Sequence, residues 1–589
     1  MKHHMSRKTK IATTVFVIFV IGLGVLLWYT YRLGDTFSGE EEEEEYLATG
    51  AIVTNVEECT YIARSILKLD GSAVDAAIAV TFCYGVAQPQ ASGIGGGFLA
   101  TIFIKGRKKI ETLNAREVAP LKISEDMYKE NLNSSFEGGL SIAVPTEVKG
   151  LWELHQKYGK LSWKTLIKPS IDLAEKGFTV PSYLAKVLIA REEKIRSIKL
   201  FRDLYINPAT NTIYHEGEKM TNPKLAETLK IIAEEGVDAI YSEKGSLGHK
   251  LVEEIQANGG VVSMDDFTSY NPKWGSSVST KLFNGDTLHT TPIPSSGCLI
   301  PFILNILEGY KLYENSLKYH DENKLIYHRI VEAFKFAFGE RTKLGDVLNA
   351  DVVEAVRELQ NVDYANRIIT FINDEHTFND TSYYGVKGPV TADYGTAHVS
   401  ILATNGDAIS LTTTINVIFG SWIISESTGI VYNNEIDDFS IPSASDGLLE
   451  SKANSIQPAK SPMSSMAPII VLNENHEVTL AVGGSGGILI ITSLVLFLVN
   501  FLQLNQTMES ALAFKRFHHQ LEPMYVRLED GYDRPDIVSY LHEKGHETKI
   551  SSPIVSAFAS VIAISNQNGK VETALDPRRG GGEGVLIEP

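Results

Sequence analysis

The spacing of apolar and polar positions divides the chain into unlike stretches. Ile11 to Tyr31, "IATTVFVIFVIGLGVLLWYTY", is a run of 21 residues without a charge. As a helix rising about 1.5 Å per residue it would span roughly 31 Å, near the thickness of a hydrocarbon layer. Lys2, Arg7, Lys8 and Lys10 precede it, and Asp35 and Glu40 to Glu45 follow it. That asymmetry predicts a cytoplasmic tail (1–10), an uncleaved transmembrane signal anchor (11–31) and a type II plasma-membrane protein whose catalytic domain is extracellular. A cleaved signal peptide is the rival reading. It fits less well because the apolar run exceeds a usual h-region and no small-x-small site ends it. Residues 32–46 read as an acidic stalk kept extended by like-charge repulsion.

From residue 47 the texture is globular. Residues 50–104 predict strand, helix, Gly turn, helix, Gly-rich loop and strand. "DYGTAHVSILATNGDAISLTTTINVIFGS" alternates through two runs around Asn405-Gly406, which predicts a β-hairpin with its first strand starting at Thr396. "GILIITSLVLFLVNFLQL" (487–504) is apolar enough for a second span, but Thr492, Ser493, Asn500 and Gln503 interrupt it, so a helix buried on all sides is the better reading.

Composition narrows the classes. With 43% hydrophobic and 21% charged residues over 589 positions, the chain can bury a large core. A net charge of -18 without a basic cluster beyond the N-terminus excludes nucleic acid as a partner. Three cysteines, Cys59, Cys83 and Cys298, suit an oxidising compartment with one disulfide, and the residues alone leave its pairing open. Asn133, Asn379 and Asn505 head N-x-S/T triplets and are candidate glycan sites.

Two motifs imitate known chemistry. "GIGGG" (93–97) lacks the Lys-Ser/Thr of a phosphate loop and has a helix before and a strand after it, so its glycines serve tight turning and close backbone approach. "HEKGH" (542–546) matches the zinc-protease pattern only in letters, because the helix should end at Lys544 with Gly545 beyond it, leaving His546 outside. His518 and His519 read as ordinary surface or core histidines. No metal or organic cofactor is required.

The ordered strings "GSAVDAAIA", "GIGGGF", "NAREVAP", "PSSG", "GTAHVS", "TTTIN", "NNEIDDFS", "KSPMSSMAP", "GGSGG", "RFHHQ" and "DPRRGGG" resemble the γ-glutamyltransferase (glutathione hydrolase) family over nearly all of 47–589. The resemblance extends to the short tail and single anchor by which animal members are mounted. It implies an α+β fold, a four-layer αββα sandwich of the N-terminal-nucleophile hydrolase type, preceded here by the transmembrane helix. It also implies self-cleavage between Gly395 and Thr396 into a large chain (47–395) and a small catalytic chain (396–589) that stay together as a heterodimer, intertwined in one domain. Cys59 and Cys83 hold the positions of a family disulfide.

By the same resemblance, Thr396 is the nucleophile and its freed α-amine the base, Thr414 orients the nucleophile, and Gly486 and Gly487 form the oxyanion hole. Arg116, Ser464 and Ser465 would hold the substrate α-carboxylate, and Asn416, Glu435 and Asp438 the α-ammonium. His398 is structural. The partners implied are glutathione and other γ-glutamyl compounds as donors, water and amino acids or dipeptides as acceptors, and the lipid bilayer through 11–31. The alternatives are an inactive membrane-displayed binding protein on the same scaffold and a related acylase or transferase with another substrate. Two departures stand out: Ile418 replaces the lid aromatic of many members, and "GGSGGILI" lacks the usual Thr after the second glycine pair.

Overall fold

The computed structural model describes residues 48–311, 324–346, 350–386, 395–441, 451–551 and 558–588. Two antiparallel sheets organise them. The first contains β1 (Gly50–Thr54), β2 (Gly97–Ile104), β3 (Lys109–Ala115), β4 (Lys273–Gly275), β7 (Ala397–Leu402), β8 (Ala408–Thr414) and β13 (Glu583–Ile587). The second contains β5 (Val278–Lys281), β6 (Thr287–Thr290), β9 (Ile469–Leu472), β10 (Val478–Ser485), β11 (Ser560–Gln567) and β12 (Lys570–Leu575). Their strand orders are β13-β1-β7-β8-β2-β3-β4 and β12-β11-β10-β9-β6-β5.

The period of two along each strand sorts side chains to opposite faces. Ala51 and Val53 of β1 join Ile470 and Leu472 of β9, and Ile562 and Ile564 of β11, in the layer between the sheets. Ile52 instead packs outward with α1 (Glu57–Lys68), α2 (Ala73–Ala87) and α4 (Trp163–Lys176), while α3 (Glu147–Tyr158) covers the same face. On the far side Ile469 and Val471 pack against α5 (Leu299–Glu308), α6 (Leu325–Arg341) and α7 (Leu489–Leu498). The order is helices, sheet, sheet, helices, as the resemblance implies.

Local expectations hold where the sequence carries a physical signal. The β7–β8 hairpin pairs His398 with Thr412 and Leu402 with Ala408, and Gly406 turns at φ 82°. Helix α2 begins with a capping box in which Ser72 and Asp75 exchange hydrogen bonds, satisfying amides at the helix start. The 487–504 stretch forms α7 and a following π-turn, Val499–Gln503, both almost wholly buried. Cys59 of α1 is bonded to Cys83 of α2, and Cys298 is a buried thiol.

One expectation is corrected. No helix among the described residues is long and apolar enough to cross a membrane. The 11–31 anchor, the 1–10 tail and the 32–46 stalk lie outside the described residues. The membrane-anchored family type, the fold's leading transmembrane helix, the bilayer partner and the type II plasma-membrane location rested on hydropathy, flanking charge and the resemblance to anchored family members, and do not stand.

Candidate active site

Thr396 lies just before β7, where that strand is paired with β8 in the middle of the first sheet. Its hydroxyl is 3.3 Å from that of Thr414, the last residue of β8, and its amide donates to Ala91 O at 3.2 Å. Thr396 is buried and has φ 84°. A β-branched residue takes such a backbone at a cost of about 1–3 kcal/mol, so the surrounding structure holds it there. Gly395 permits the arrangement, because a Cβ there would sit 1.8 Å from Asn416 O. The Gly-rich loop is close for the same reason: a Cβ on Gly96 would sit 1.9 Å from Thr414 O.

Thr414 connects the nucleophile candidate to a polar pocket. Its Oγ1 accepts from the Asn416 amide at 2.8 Å, and Asn416 Nδ2 donates to Asn434 O at 3.1 Å, one residue before Glu435. Beyond it the Arg116 guanidinium donates to Glu435, to Asp438 at 2.5 Å, to Pro462 O at 3.0 Å and to Met463 O at 3.2 Å. Arg116, Asn416, Glu435 and Asp438 are thus brought together, all buried. Among the described residues, Asn416 Oδ1 and Glu435 Oε2 are buried acceptors without a partner. A protonated amine has three N–H donors and no acceptor, which is the complement of such groups.

Burial dominates the electrostatics. It pushes the Glu435 carboxyl well above its ordinary range and raises that of Asp438, while Arg116 opposes both shifts. Glu117, also beside Arg116, is pushed up to about 8 by burial. Three carboxyl groups surround the Arg116 guanidinium, and Arg341 also favours the ionised form of Asp438.

The serines lie close by in the chain but are engaged differently. Ser464 donates its amide to Pro294 O at 2.7 Å and its Oγ accepts from the Met466 amide, while Ser465 Oγ accepts from Arg341 at 3.5 Å. The Ile293-Pro294 peptide is cis. Gly486 and Gly487 follow β10 with φ 134° and 63°, and among the described residues neither amide donates a hydrogen bond. His398 is held by the Thr412 and Ser400 hydroxyls, with burial lowering its pKa to about 3, which suits a structural ring. Ile418 is half-buried and packs against the helix-side core. Asn133, Asn379 and Asn505 are exposed.

The zinc-like pattern dissolves as its helix end implies. Helix α8 (Pro535–Glu543) stops before Gly545, which has φ 87°. His542 bonds Thr548, whereas buried His546 meets His328 and Glu332, their candidate ligand atoms all within 4.8 Å. His328 Nε2 donates to Asn373 O, so its Nδ1 accepts from His546 Nε2 at 2.8 Å. Glu332 is bonded by Thr377 and Tyr384, with Lys335 3.5 Å away. The group satisfies itself as a hydrogen-bond network.

Sequence reasoning missed three buried participants. Arg341 bridges Ser296 and Ser465, Glu117 flanks Arg116, and Arg579 donates to the carbonyls of both Gly395 and Thr396. The motif "DPRRGGG" flagged the last without giving it a job.

The chain is 38% identical to "Scoloptoxin SSD14" of Scolopendra dehaani, over 90% of this chain and 91% of the relative. It is 36% identical to "Glutathione hydrolase 2" of Arabidopsis thaliana, over 90% and 93%. The crystal structure of cephalosporin acylase from Bacillus halodurans superposes with a TM-score of 0.78 at 21% identity, covering 92% of this chain and 97% of that one, a likeness of fold. Residues 59–586 match the model of the gamma-glutamyltranspeptidase family, and the chain belongs to that family, with its γ-glutamyl hydrolase and transferase activity.

Proposed function

We propose that Thr396 carries the family's γ-glutamyl chemistry in this chain, after self-cleavage has made it the first residue of a small chain, 396–589, held to a large chain, 47–395. The observation that carries the reading is the Thr396 hydroxyl 3.3 Å from the Thr414 hydroxyl, directly after a Gly395 that no larger residue could replace.

Cleavage turns an amide nitrogen into an α-amine with a reference pKa of about 7.7–8.0, able to take the proton of its own residue's hydroxyl. Thr396 Oγ1 then attacks the γ-carbonyl of a γ-glutamyl compound such as glutathione. Negative charge on that carbonyl oxygen falls to the Gly486 and Gly487 amides, donors of a kind whose single loss typically costs about 10²–10³ in rate. The leaving amine takes the proton, and a γ-glutamyl ester remains on Thr396. Water releases glutamate, and an amino acid or dipeptide amine gives the transfer product.

The substrate's zwitterionic head exchanges partners with the pocket. Its α-carboxylate goes to Arg116 and the Ser464 and Ser465 hydroxyls, and its α-ammonium to Asn416, Glu435 and Asp438. Glu435 and Asp438 already face Arg116, so the exchange replaces ion pairs within the protein by ion pairs with the ligand. N-terminal sequencing of the mature chains tests the reading. A chain starting at Thr396, and loss of both cleavage and γ-glutamyl release in Thr396→Ala, are expected; any other start overturns it.

A further inference from the structure

Three buried or nearly buried arginines meet near the C-terminus, and two of them are neutralised. Arg516 donates to Asp576 at 2.5 Å, and Arg578 to Asp576 at 3.0 Å and Glu529 at 2.7 Å. Arg579 differs. It is 2% exposed, yet no carboxylate among the described residues lies within 4.0 Å of it. Its guanidinium stands 4.4 Å from the Tyr183 ring centroid and its Nε has no partner among the described residues. The other two nitrogens donate to Thr396 O at 2.8 Å and Gly395 O at 3.0 Å, the carbonyls of the two successive peptide bonds that flank the Thr396 Cα.

A buried guanidinium stays charged, and burying a charge without a counter-ion is unfavourable. An arginine that only fastened the C-terminal segment would gain as much from any carbonyls, or more from a carboxylate. This one is aimed at the bond preceding Thr396, whose backbone is held at φ 84°. A fixed positive charge that Asp576 offsets only from beyond 4.0 Å, and that touches the carbonyl oxygen before a residue held at φ 84°, suits a negative charge that exists only during reaction.

We propose that Arg579 takes up the negative charge on the Gly395 carbonyl oxygen when the chain cuts itself, an assignment that rests on cleavage before Thr396. Thr396 Oγ1 adds to the Gly395 carbonyl carbon, and the carbonyl π pair moves onto the oxygen facing Arg579. The carbon–nitrogen bond then breaks, with the Thr396 nitrogen leaving as an amine that carries the former hydroxyl proton. An ester joins Gly395 to Thr396 Oγ1. Water hydrolyses it, leaving the Gly395 carboxylic acid and restoring the hydroxyl. The oxyanion site for self-cleavage is therefore distinct from the Gly486 and Gly487 amides assigned to turnover, and it comes from the far end of the chain.

The test follows conversion of the full-length precursor to two chains over time on denaturing gels, with N-terminal sequencing, for wild type, Arg579→Gln, Arg579→Lys and Thr396→Ala. Cleavage in Arg579→Gln is expected to slow by about 10²–10³, the usual loss for one oxyanion donor. Arg579→Lys, which keeps the charge, should be faster than Arg579→Gln. The uncut Arg579→Gln precursor should melt at the temperature of the uncut Thr396→Ala precursor, separating chemistry from folding. Cleavage of Arg579→Gln at the wild-type rate overturns the assignment, as does a lysine variant no faster than the glutamine variant, or a melting temperature well below that of Thr396→Ala. In each of those cases wild-type cleavage before Thr396 leaves the nucleophile reading standing. A wild-type small chain starting anywhere else overturns both.

Discussion

Replacing Asp438 by Asn changes one acceptor of the pocket from a charged to a neutral group of nearly equal shape. Asp438 shares Arg116 with Glu435, and Glu117 stands 3.8 Å from the same guanidinium. Two carboxyl groups therefore remain for one cation, and removing the third relieves repulsion in a place where burial already disfavours ionised acids. Folding should tolerate the change, with a melting temperature equal to wild type or higher. Binding should not. In the proposed binding mode the three N–H bonds of the substrate ammonium go to Asp438, Glu435 and Asn416, and a charge-assisted hydrogen bond contributes about 1.5–3 kcal/mol. Losing one implies a fall of about 10- to 150-fold in kcat/KM. The ammonium is separated from the reacting carbonyl by the side-chain methylenes and is held equally in ground and transition states, so the fall should appear in KM with little change in kcat. The assay compares a chromogenic γ-glutamyl anilide with its glutaryl analogue, which lacks the α-amine. The penalty should be present for the first and absent for the second. Equal penalties on both substrates, or a loss confined to kcat, would refute the assignment of Asp438 to the ammonium.

Two further outcomes bear on the fold. Glu147 in α3 is fully buried, accepts from Thr413, and is pushed up to about 8 by burial, with Glu117 adding to the shift. The folded chain keeps a proton that the unfolded chain releases near 4.5, so this group's stabilising contribution is present below that value and is lost as pH rises toward 8. Glu147→Gln should therefore gain on wild type between pH 5 and 9, by an amount on the order of a few kcal/mol, read from unfolding midpoints; a difference flat in pH would show that the carboxyl is ionised in the fold. The Cys59–Cys83 bridge closes a loop with a sequence separation of 24, so Cys59→Ser with Cys83→Ser should lower stability by about 3 kcal/mol. Reduction of wild type should give the same shift, and no shift would mean that the packing of α1 on α2 suffices.

What could be read from the sequence follows the range of the interactions. Asn405-Gly406 between two alternating runs specifies a hairpin locally, and Gly545 ends α8 locally, so both appear where the residues say. The nucleophile and acceptor residues come from short ordered motifs. Arg579 was only a letter in a motif, because its partners are 183 and 184 positions away. Arg341 is likewise 124 positions from Ser465, and His546 is 218 from His328. Such pairings arise from the stacking of layers and leave no local pattern. The membrane reading failed differently: hydropathy was taken as topology over residues outside the described part of the fold, and no described helix supports it.

The order of strands has a consequence for the life of the molecule. In the first sheet β7 and β8 lie between β1 and β2, and β13 closes the far edge beyond β1. The proposed cut before Thr396 would assign neighbouring strands to different polypeptides without moving any of them. Assembly is then unimolecular once only, during the precursor's first folding. After the cut, a protein that unfolds becomes two diffusing molecules, neither holding a complete sheet, and recovery requires their encounter. The cut form should therefore persist by the height of its unfolding barrier, with denaturation a one-way event in dilute solution.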